Sequence, residues 1–444
     1  MPKLSLRHFL LLDQLKMTTL NAGQLATAEA FFEFLFNDEK ELIISGAGGV
    51  GKTFLMSHLI DTILPNYQNT CKMLGMPIQY SDVVMTATTN KAAEVLAVAT
   101  KRPTQTIHSF LGLRVMDNYS TGESTIAKTK KWKIHTDLII FLDEASMTDR
   151  KLLEITRDST LNCKLIYVGD HCQLAPVKET VSPVFNQRLT MHVLTEPMRN
   201  SGQPALMALC NQFRNTVETG QFSTITLTPG VIDLVDLTEL QAEIDKAFID
   251  ADTDAKILAY TNNRVNDYND YIRELRGLTD TYTVGEHLVN NSAVDMGRDK
   301  KMLSVEERVT ITKLSEYTDF IDIDADVQLE VRYATLTNDF LTTYTDVPLP
   351  ENKEHYQALI KYYQKRKDWV TYFELKNKYP DLRPCDACTV HKSQGSTYDT
   401  VFIDLDNIGS CHNSDQVARM LYVAISRARN RIFLFGKLPT KYGG

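Results

Sequence analysis

Gly46-Ala47-Gly48-Gly49-Val50-Gly51-Lys52-Thr53 follows the apolar stretch Leu42 to Ser45 and runs into Phe54-Leu55-Met56, with Leu59, Ile60 and Ile63 at helical spacing. The run fits G-x-x-x-x-G-K-[ST], and a strand before it with a helix after it is the context that pattern requires. Glycines let the backbone curl until successive N–H groups point at phosphate oxygens, and the following helix presents its positive end to the same anion. Lys52 is placed to reach the β- and γ-phosphates, and the Thr53 hydroxyl to ligate Mg²⁺. A nucleoside triphosphate and Mg²⁺ are therefore the expected cofactors.

A chain of 444 residues with 43% hydrophobic content has room for about two to four domains. No apolar run approaches the ~18 residues that span a bilayer, and Phe9 to Leu12 is too short for a signal sequence. Seven cysteines scattered along the chain suit a reducing compartment better than a disulfide framework. A cytoplasmic location and no membrane partner are the expectation. The net charge of −8 decides nothing about nucleic acid, because only the charge local to a groove acts on a strand.

Short apolar runs at Leu42 to Ser45, Val83 to Thr86, Leu138 to Leu142 and Leu165 to Val168 each end in a polar or acidic cluster. Ligands in open parallel sheets sit beyond the carboxyl ends of the strands, so this predicts one α/β domain. A second set, Ile257 to Tyr260, Val401 to Leu405 and Ile432 to Phe435, predicts another. Residues from about 109 to 133 read as a hairpin inserted in the first domain, with Asn118-Tyr119-Ser120-Thr121-Gly122 at its turn. Residues 282–383 split the second, first with strand-like alternation and then with helical character. That helical half interleaves Lys361, Lys365, Arg366, Lys367, Lys376 and Lys378 with aromatics. It is either a surface for a nucleic-acid backbone or a helical hairpin with a private aromatic core.

Asp143-Glu144 follows the strand at Leu138 and supplies the second half of a nucleoside-triphosphatase site: Asp143 for Mg²⁺, Glu144 to polarise the attacking water. Gly169-Asp170-His171-Cys172-Gln173-Leu174-Ala175-Pro176-Val177 follows the next strand. This segment resembles motif III of superfamily 1 helicases, which implies that Gln173 senses the γ-phosphate. Further motifs of that family follow in order. Leu20 to Gln24 resembles the Q motif, implying an adenine contact for Gln24. Thr86 to Ala93 resembles motif Ia and Thr106-Ile107-His108-Ser109 a strand-contacting segment, implying DNA contacts for Thr88, Thr89 and His108. Leu194 to Asn200 resembles motif IV, with Arg199 at a γ-phosphate position. Thr389 to Thr397 resembles motif V, which assigns His391 to DNA and Gln394 and Gly395 to the nucleotide. Tyr422 to Arg429 resembles motif VI, with Arg427 as an arginine finger.

The likeness runs from Gln24 to Arg429 and is strongest to the Dda-like and RecD-like 5′→3′ branch. It implies an α/β fold of two RecA-like P-loop domains, an inserted β-hairpin pin and an inserted small β-barrel with a helical subdomain. The expected division is 1–200 for the first domain, 201–281 with 384–444 for the second, and 282–383 for the insertion. The implied activity is ATP-dependent 5′→3′ translocation on single-stranded DNA with unwinding of duplex, in replication, recombination or repair. Implied partners are single-stranded DNA, single-strand/duplex junctions, and a single-stranded-DNA-binding protein or replisome component, with the chain a monomer. Tyr119 is the aromatic that the pin would use to split duplex. The other readings are a DNA-stimulated translocase without strand separation and a P-loop small-molecule kinase. Cys385-Asp386-Ala387-Cys388 is a lone C-x-x-C without a second pair at zinc spacing.

Overall fold

The computed structural model describes residues 20–444 except 177, 178, 180, 197–202, 279, 280 and 295–301. Helix α1 (Ala22–Phe34) leads into β1 (Glu41–Gly46), and α2 (Lys52–His58) follows the glycine-rich loop. Next come β2 (Asp82–Ala87), α3 (Asn90–Thr100) and β3 (Thr104–Thr106), then a hairpin of β4 (Leu113–Asp117) and β5 (Ser124–Lys128). Strands β6 (Leu138–Asp143), β7 (Lys164–Gly169) and β8 (Thr190–Leu194) complete a sheet ordered β8-β1-β7-β6-β2-β3, parallel throughout.

Strand β1 sits inside that sheet because Leu42-Ile43-Ile44 is apolar on both faces. Leu42 and Ile44 pack with Phe31, Leu55 and Phe141, whereas Ile43 packs with Ile140, Leu142 and Tyr167 in the opposite layer. The strand order sets the carboxyl ends of β1, β7 and β6 side by side. The loops that follow those three strands carry Gly46–Thr53, Asp170–Gln173 and Asp143–Glu144, so one edge of the sheet collects all three groups.

Helix α4 (Pro204–Thr219) precedes β9 (Ile232–Val235) and β10 (Ala255–Ala259) of a second sheet. The chain then makes an excursion through β11 (His287–Asn290), β12 (Arg308–Asp324), β13 (Val327–Asn338), β14 (Thr343–Pro350), α5 (Lys353–Arg366), α6 (Trp369–Lys378) and β15 (Leu382–Pro384). It returns in β16 (Ala387–Thr389) and β17 (Tyr398–Asp404), and ends with α7 (Ser414–Ile425) and β18 (Ala428–Phe435). The second sheet runs β9-β18-β17-β10-β16, again parallel. Leu258, Val401, Ile403 and Ile432 face one core, and Ile257, Phe402 and Phe433 the other. Two parallel sheets, each covered on both faces, fit two RecA-like P-loop domains.

The excursion is an antiparallel sheet ordered β14-β13-β12-β11-β15. Register shifts between β12 and β13 twist it around Leu288, Val309, Ile311, Leu336 and Val347. Its edge strands β14 and β15 share no ladder, so the expected barrel is open along that seam. Helices α5 and α6 fold back on the sheet: Tyr356, Tyr363, Leu375 and Tyr379 pack against Leu329 and Val331. The aromatics of this segment therefore serve largely as a core of its own. No helix among the described residues is long and apolar enough to cross a membrane, and all seven cysteines are free thiols.

Candidate active site

The loop between β1 and α2 has little steric freedom. A Cβ on Gly46 would lie 2.7 Å from Val50 Cγ2 and 2.9 Å from the Leu194 carbonyl oxygen of β8. Gly51 begins α2 at φ 81°, a left-handed conformation that only glycine adopts without strain. Lys52 Nζ donates to the carbonyls of Gly46 at 2.7 Å and Ala47 at 3.0 Å, which holds the ammonium over the loop. Thr53 lies beside it in the first turn of α2.

Gln24 differs from its expected place on an adenine edge. The side chain is fully buried, its Nε2 donates to the Val50 carbonyl at 3.2 Å, and its Oε1 accepts the Asn21 N–H at 3.2 Å. Asn21 Oδ1 accepts the Gln24 N–H in return, forming a reciprocal capping box at the start of α1. The glutamine thus ties α1 to the underside of the phosphate loop, and both ends of its amide are already engaged.

Asp143 ends β6, and the Glu144 N–H donates to its Oδ1 at 2.9 Å. Glu144 has φ 51°, a left-handed conformation uncommon for a non-glycine residue and a mark of a constrained functional turn. Burial, reinforced by the Glu144 carboxylate and opposed by Lys52, pushes the Asp143 carboxyl up to about 7. Two hard-oxygen donors, Thr53 and Asp143, thus stand near a lysine at a carboxylate whose charge is poorly compensated, which is the chemistry a divalent cation fits.

Gln173 and Gln394 meet across the domain boundary: Gln394 Nε2 lies 3.4 Å from Gln173 Oε1 and donates to the Leu174 carbonyl at 3.3 Å. Gln394 Oε1 is a buried acceptor without a partner among the described residues. Gly395 follows it, exposed, at φ 75°.

Arg427, expected as an arginine finger, is engaged within its own domain. It is 5% exposed, and its guanidinium donates to the carbonyls of Ser396 at 2.9 Å, Ser393 at 3.4 Å and Val423 at 3.1 Å, and to Ser426 Oγ at 2.7 Å. Those bonds brace the turn that carries Gln394. Arg199 lies outside the described residues.

The residues expected on DNA have internal partners as well. Thr89 Oγ1 accepts from Ala92 N–H at 3.1 Å to cap α3, and Thr88 Oγ1 is 3.4 Å from the Glu144 carbonyl. His108 and His391 are half-buried, and burial lowers the pKa of both imidazoles below the usual value, against Asp149 in the case of His108. Tyr119 is exposed at the turn of the β4–β5 hairpin, edge-on to Phe373 of α6 with ring centres 5.3 Å apart.

Sequence reasoning missed the contacts that join the two sheets. Asp170, 1% exposed, accepts from Tyr422 OH of α7 at 2.6 Å and from Arg214 Nη1 of α4 at 2.8 Å. Arg419, one turn before Tyr422, donates to the carbonyls of His171 at 2.6 Å and Gln173 at 3.0 Å. Lys91 Nζ reaches Ser396 Oγ at 2.6 Å. Asp170 and Tyr422 stand inside the quoted motifs, but Arg214 and Arg419 carry no local signal.

Residues 30–179 match the AAA domain family and residues 384–435 the UvrD-like helicase C-terminal domain. The chain is 22% identical to the ATP-dependent DNA helicase dda of Enterobacteria phage T4, over 93% of this chain and 98% of that protein. It is 23% identical to protein R530 of Acanthamoeba polyphaga mimivirus, over 93% and 99%. A crystal structure of a Bacteroides Pif1 helicase with ADP-AlF3 and single-stranded DNA aligns over 94% of this chain and 93% of that one, at 15% identity and a TM-score of 0.49.

Proposed function

We infer that this chain is an ATP-dependent DNA helicase of superfamily 1, of the Dda and Pif1 type, which moves 5′→3′ along single-stranded DNA and unwinds duplex. One observation carries the reading: a complete phosphate loop, an acid pair and the Asp170–Gln173 loop share one edge of a parallel sheet, and Gln394 and Tyr422 of a second sheet hydrogen-bond to that last loop. A kinase for a small molecule has no use for that second jaw. In a two-jawed site, nucleotide state is read as the distance between domains, which is how hydrolysis becomes movement.

Lys52 then leaves its loop carbonyls for the β- and γ-phosphates. Glu144 orients and polarises the attacking water, with Gln173 and Gln394 beside the γ-phosphate. Thr53 and Asp143 would hold Mg²⁺, which when bound neutralises phosphate charge. Arg427 acts as an arginine finger only by exchanging its carbonyl partners for phosphate oxygens as the cleft closes, with Arg199 as the second cation. Thr88, Thr89, His108 and His391 remain proposed strand contacts, and Tyr119 the proposed duplex splitter. The proposed units are 1–200, 201–281 with 384–444, and 282–383. We assign the protein to a host cytoplasm, as a monomer meeting a single-stranded-DNA-binding protein or replisome partner.

Partial duplexes with either a 5′ or a 3′ single-stranded tail test the reading. Unwinding of the 5′-tailed substrate alone is expected, and ATP hydrolysis indifferent to DNA would return the kinase alternative.

The Asp143 carboxyl also sets a pH dependence. Its value in the metal-free site is raised to about 7, so a proton competes with Mg²⁺ for it, and the affinity for Mg²⁺ should weaken as pH drops through 7. Titrating Mg²⁺ at fixed nucleotide checks this: Asp143→Asn should bind Mg²⁺ weakly at every pH, and a wild-type affinity that ignores pH would assign the metal to other groups.

A further inference from the structure

We propose that the turn joining α5 to α6 is a landing surface for duplex DNA ahead of the pin, its lysines and arginine holding duplex phosphates while the β4–β5 turn divides the strands. The inference rests on the helicase reading and adds a partner surface to it.

Lys361, Lys365, Arg366 and Lys367 are all exposed, and none makes an ion pair among the described residues. The acids beside them are Asp324, which accepts the Tyr363 hydroxyl and attracts the Arg366 guanidinium, and Asp368, which caps α6 through the Thr371 N–H at 3.2 Å and hydroxyl at 2.9 Å. Four cations against these two carboxylates leave this end of α5 net positive in a chain of net charge −8.

Their position relative to the pin is fixed by packing. The Trp369 indole lies so close to Gly122 of the β4–β5 turn that a Cβ there would sit 2.4 Å from a ring carbon. Asn377 Nδ2 donates to Asp117 Oδ2 of β4 at 2.8 Å, and Tyr119 rests on Phe373. Lys367 precedes Trp369 by two residues, about 7 Å of chain at most. Lys367 therefore lies beside the hairpin turn, and Arg366, Lys365 and Lys361 lead away from it along α5, in the same subdomain that braces the turn. The proposed strand contacts, Thr88, Thr89, His108 and His391, all belong to the two parallel-sheet domains and none to this insertion, so the polyanion assigned to this outer corner is the duplex. Backbone phosphates recognised by exposed lysines carry no sequence information, which suits a motor that must unwind any sequence.

The test compares the wild type with the quadruple variant K361A/K365A/R366A/K367A on a 5′-tailed partial duplex and on the tail alone. The wild type should bind the junction more tightly than the tail. In the variant that preference should fall roughly tenfold, and the salt dependence of junction binding should flatten by about one unit for each phosphate no longer neutralised. Tail-stimulated ATP turnover should be unchanged. A variant that keeps the wild-type junction preference and salt slope overturns the proposal, as does a wild type without junction preference. A wild type whose ATP turnover ignores the tail overturns the helicase reading and this surface with it.

Discussion

Lys52→Ala is expected to lower ATP turnover by roughly 100- to 1,000-fold and to abolish unwinding, while single-stranded DNA still binds. Without nucleotide the Lys52 ammonium spans the carbonyls of Gly46 and Ala47, so it is fixed over the loop rather than free in solvent. Phosphate oxygens offer stronger acceptors at the same place, and the charge that develops on the transferred group has Lys52 as its nearest cation from the loop. Removing the amine frees two carbonyls that water can reach, which costs about 1 kcal/mol or less of stability. The measurement is therefore clean: a thermal melt close to wild type alongside a collapse of turnover. Unwinding retained by the Lys52 variant would sink the mechanism as a whole.

What was legible in the sequence was what is local. Gly46 to Thr53 needs only its own spacing and its flanking strand and helix to be read, and Asp143-Glu144 needs only the strand before it. Side-chain direction is not local. Gln24 stands where an adenine contact is expected, yet its amide is spent between Asn21 and Val50, because a capping box and a loop carbonyl were both within reach. Arg427 is similarly drawn inward by the Ser393 and Ser396 carbonyls, which lie more than thirty residues earlier in the chain. Cross-domain pairs were the least legible. Arg214 sits mid-helix in α4 with nothing in its neighbourhood to mark it, and its partner is contributed by the other sheet. The open seam of the inserted sheet likewise depends on how far β12 and β13 twist, which alternation along one strand does not encode.

Asp170→Ala is expected to uncouple the motor while leaving its two cores folded. Both α4 and α7 of the second domain grip the Asp170 carboxylate, through Arg214 and the Tyr422 hydroxyl, and the Cys172 N–H donates to it from its own loop at 3.1 Å. Arg214 is itself largely buried, so deleting the carboxylate leaves its guanidinium only the half-exposed Glu218 carboxylate, 3.4 Å from Nε, and leaves the Tyr422 phenol without its acceptor. Breaking a buried ion pair costs about 3–5 kcal/mol, and the remaining Glu218 contact puts this loss at the lower end. The faces of each sheet pack in their own clusters, and only Cys172 and Leu174 of the Asp170 loop enter a core of the second, so most of that cost falls on the docked arrangement of the domains. A shift of that size lowers the docked-to-undocked equilibrium constant by roughly 100-fold or more, since every 1.4 kcal/mol is about tenfold. Single-stranded DNA should then lose most of its stimulation of ATP turnover, whereas nucleotide binding at Lys52 and Thr53, which belong to the loop and helix after β1, should persist. Tyr422→Phe removes only the hydroxyl and keeps the ion pair, so its loss should be nearer tenfold, about 1.5 kcal/mol for a hydrogen bond to a charged acceptor. The ordering of the two variants is the discriminating result. Equal, small effects on DNA-stimulated turnover would show that the contact is only packing; a large loss for Asp170→Ala with a graded one for Tyr422→Phe would make this carboxylate the joint on which the two jaws turn.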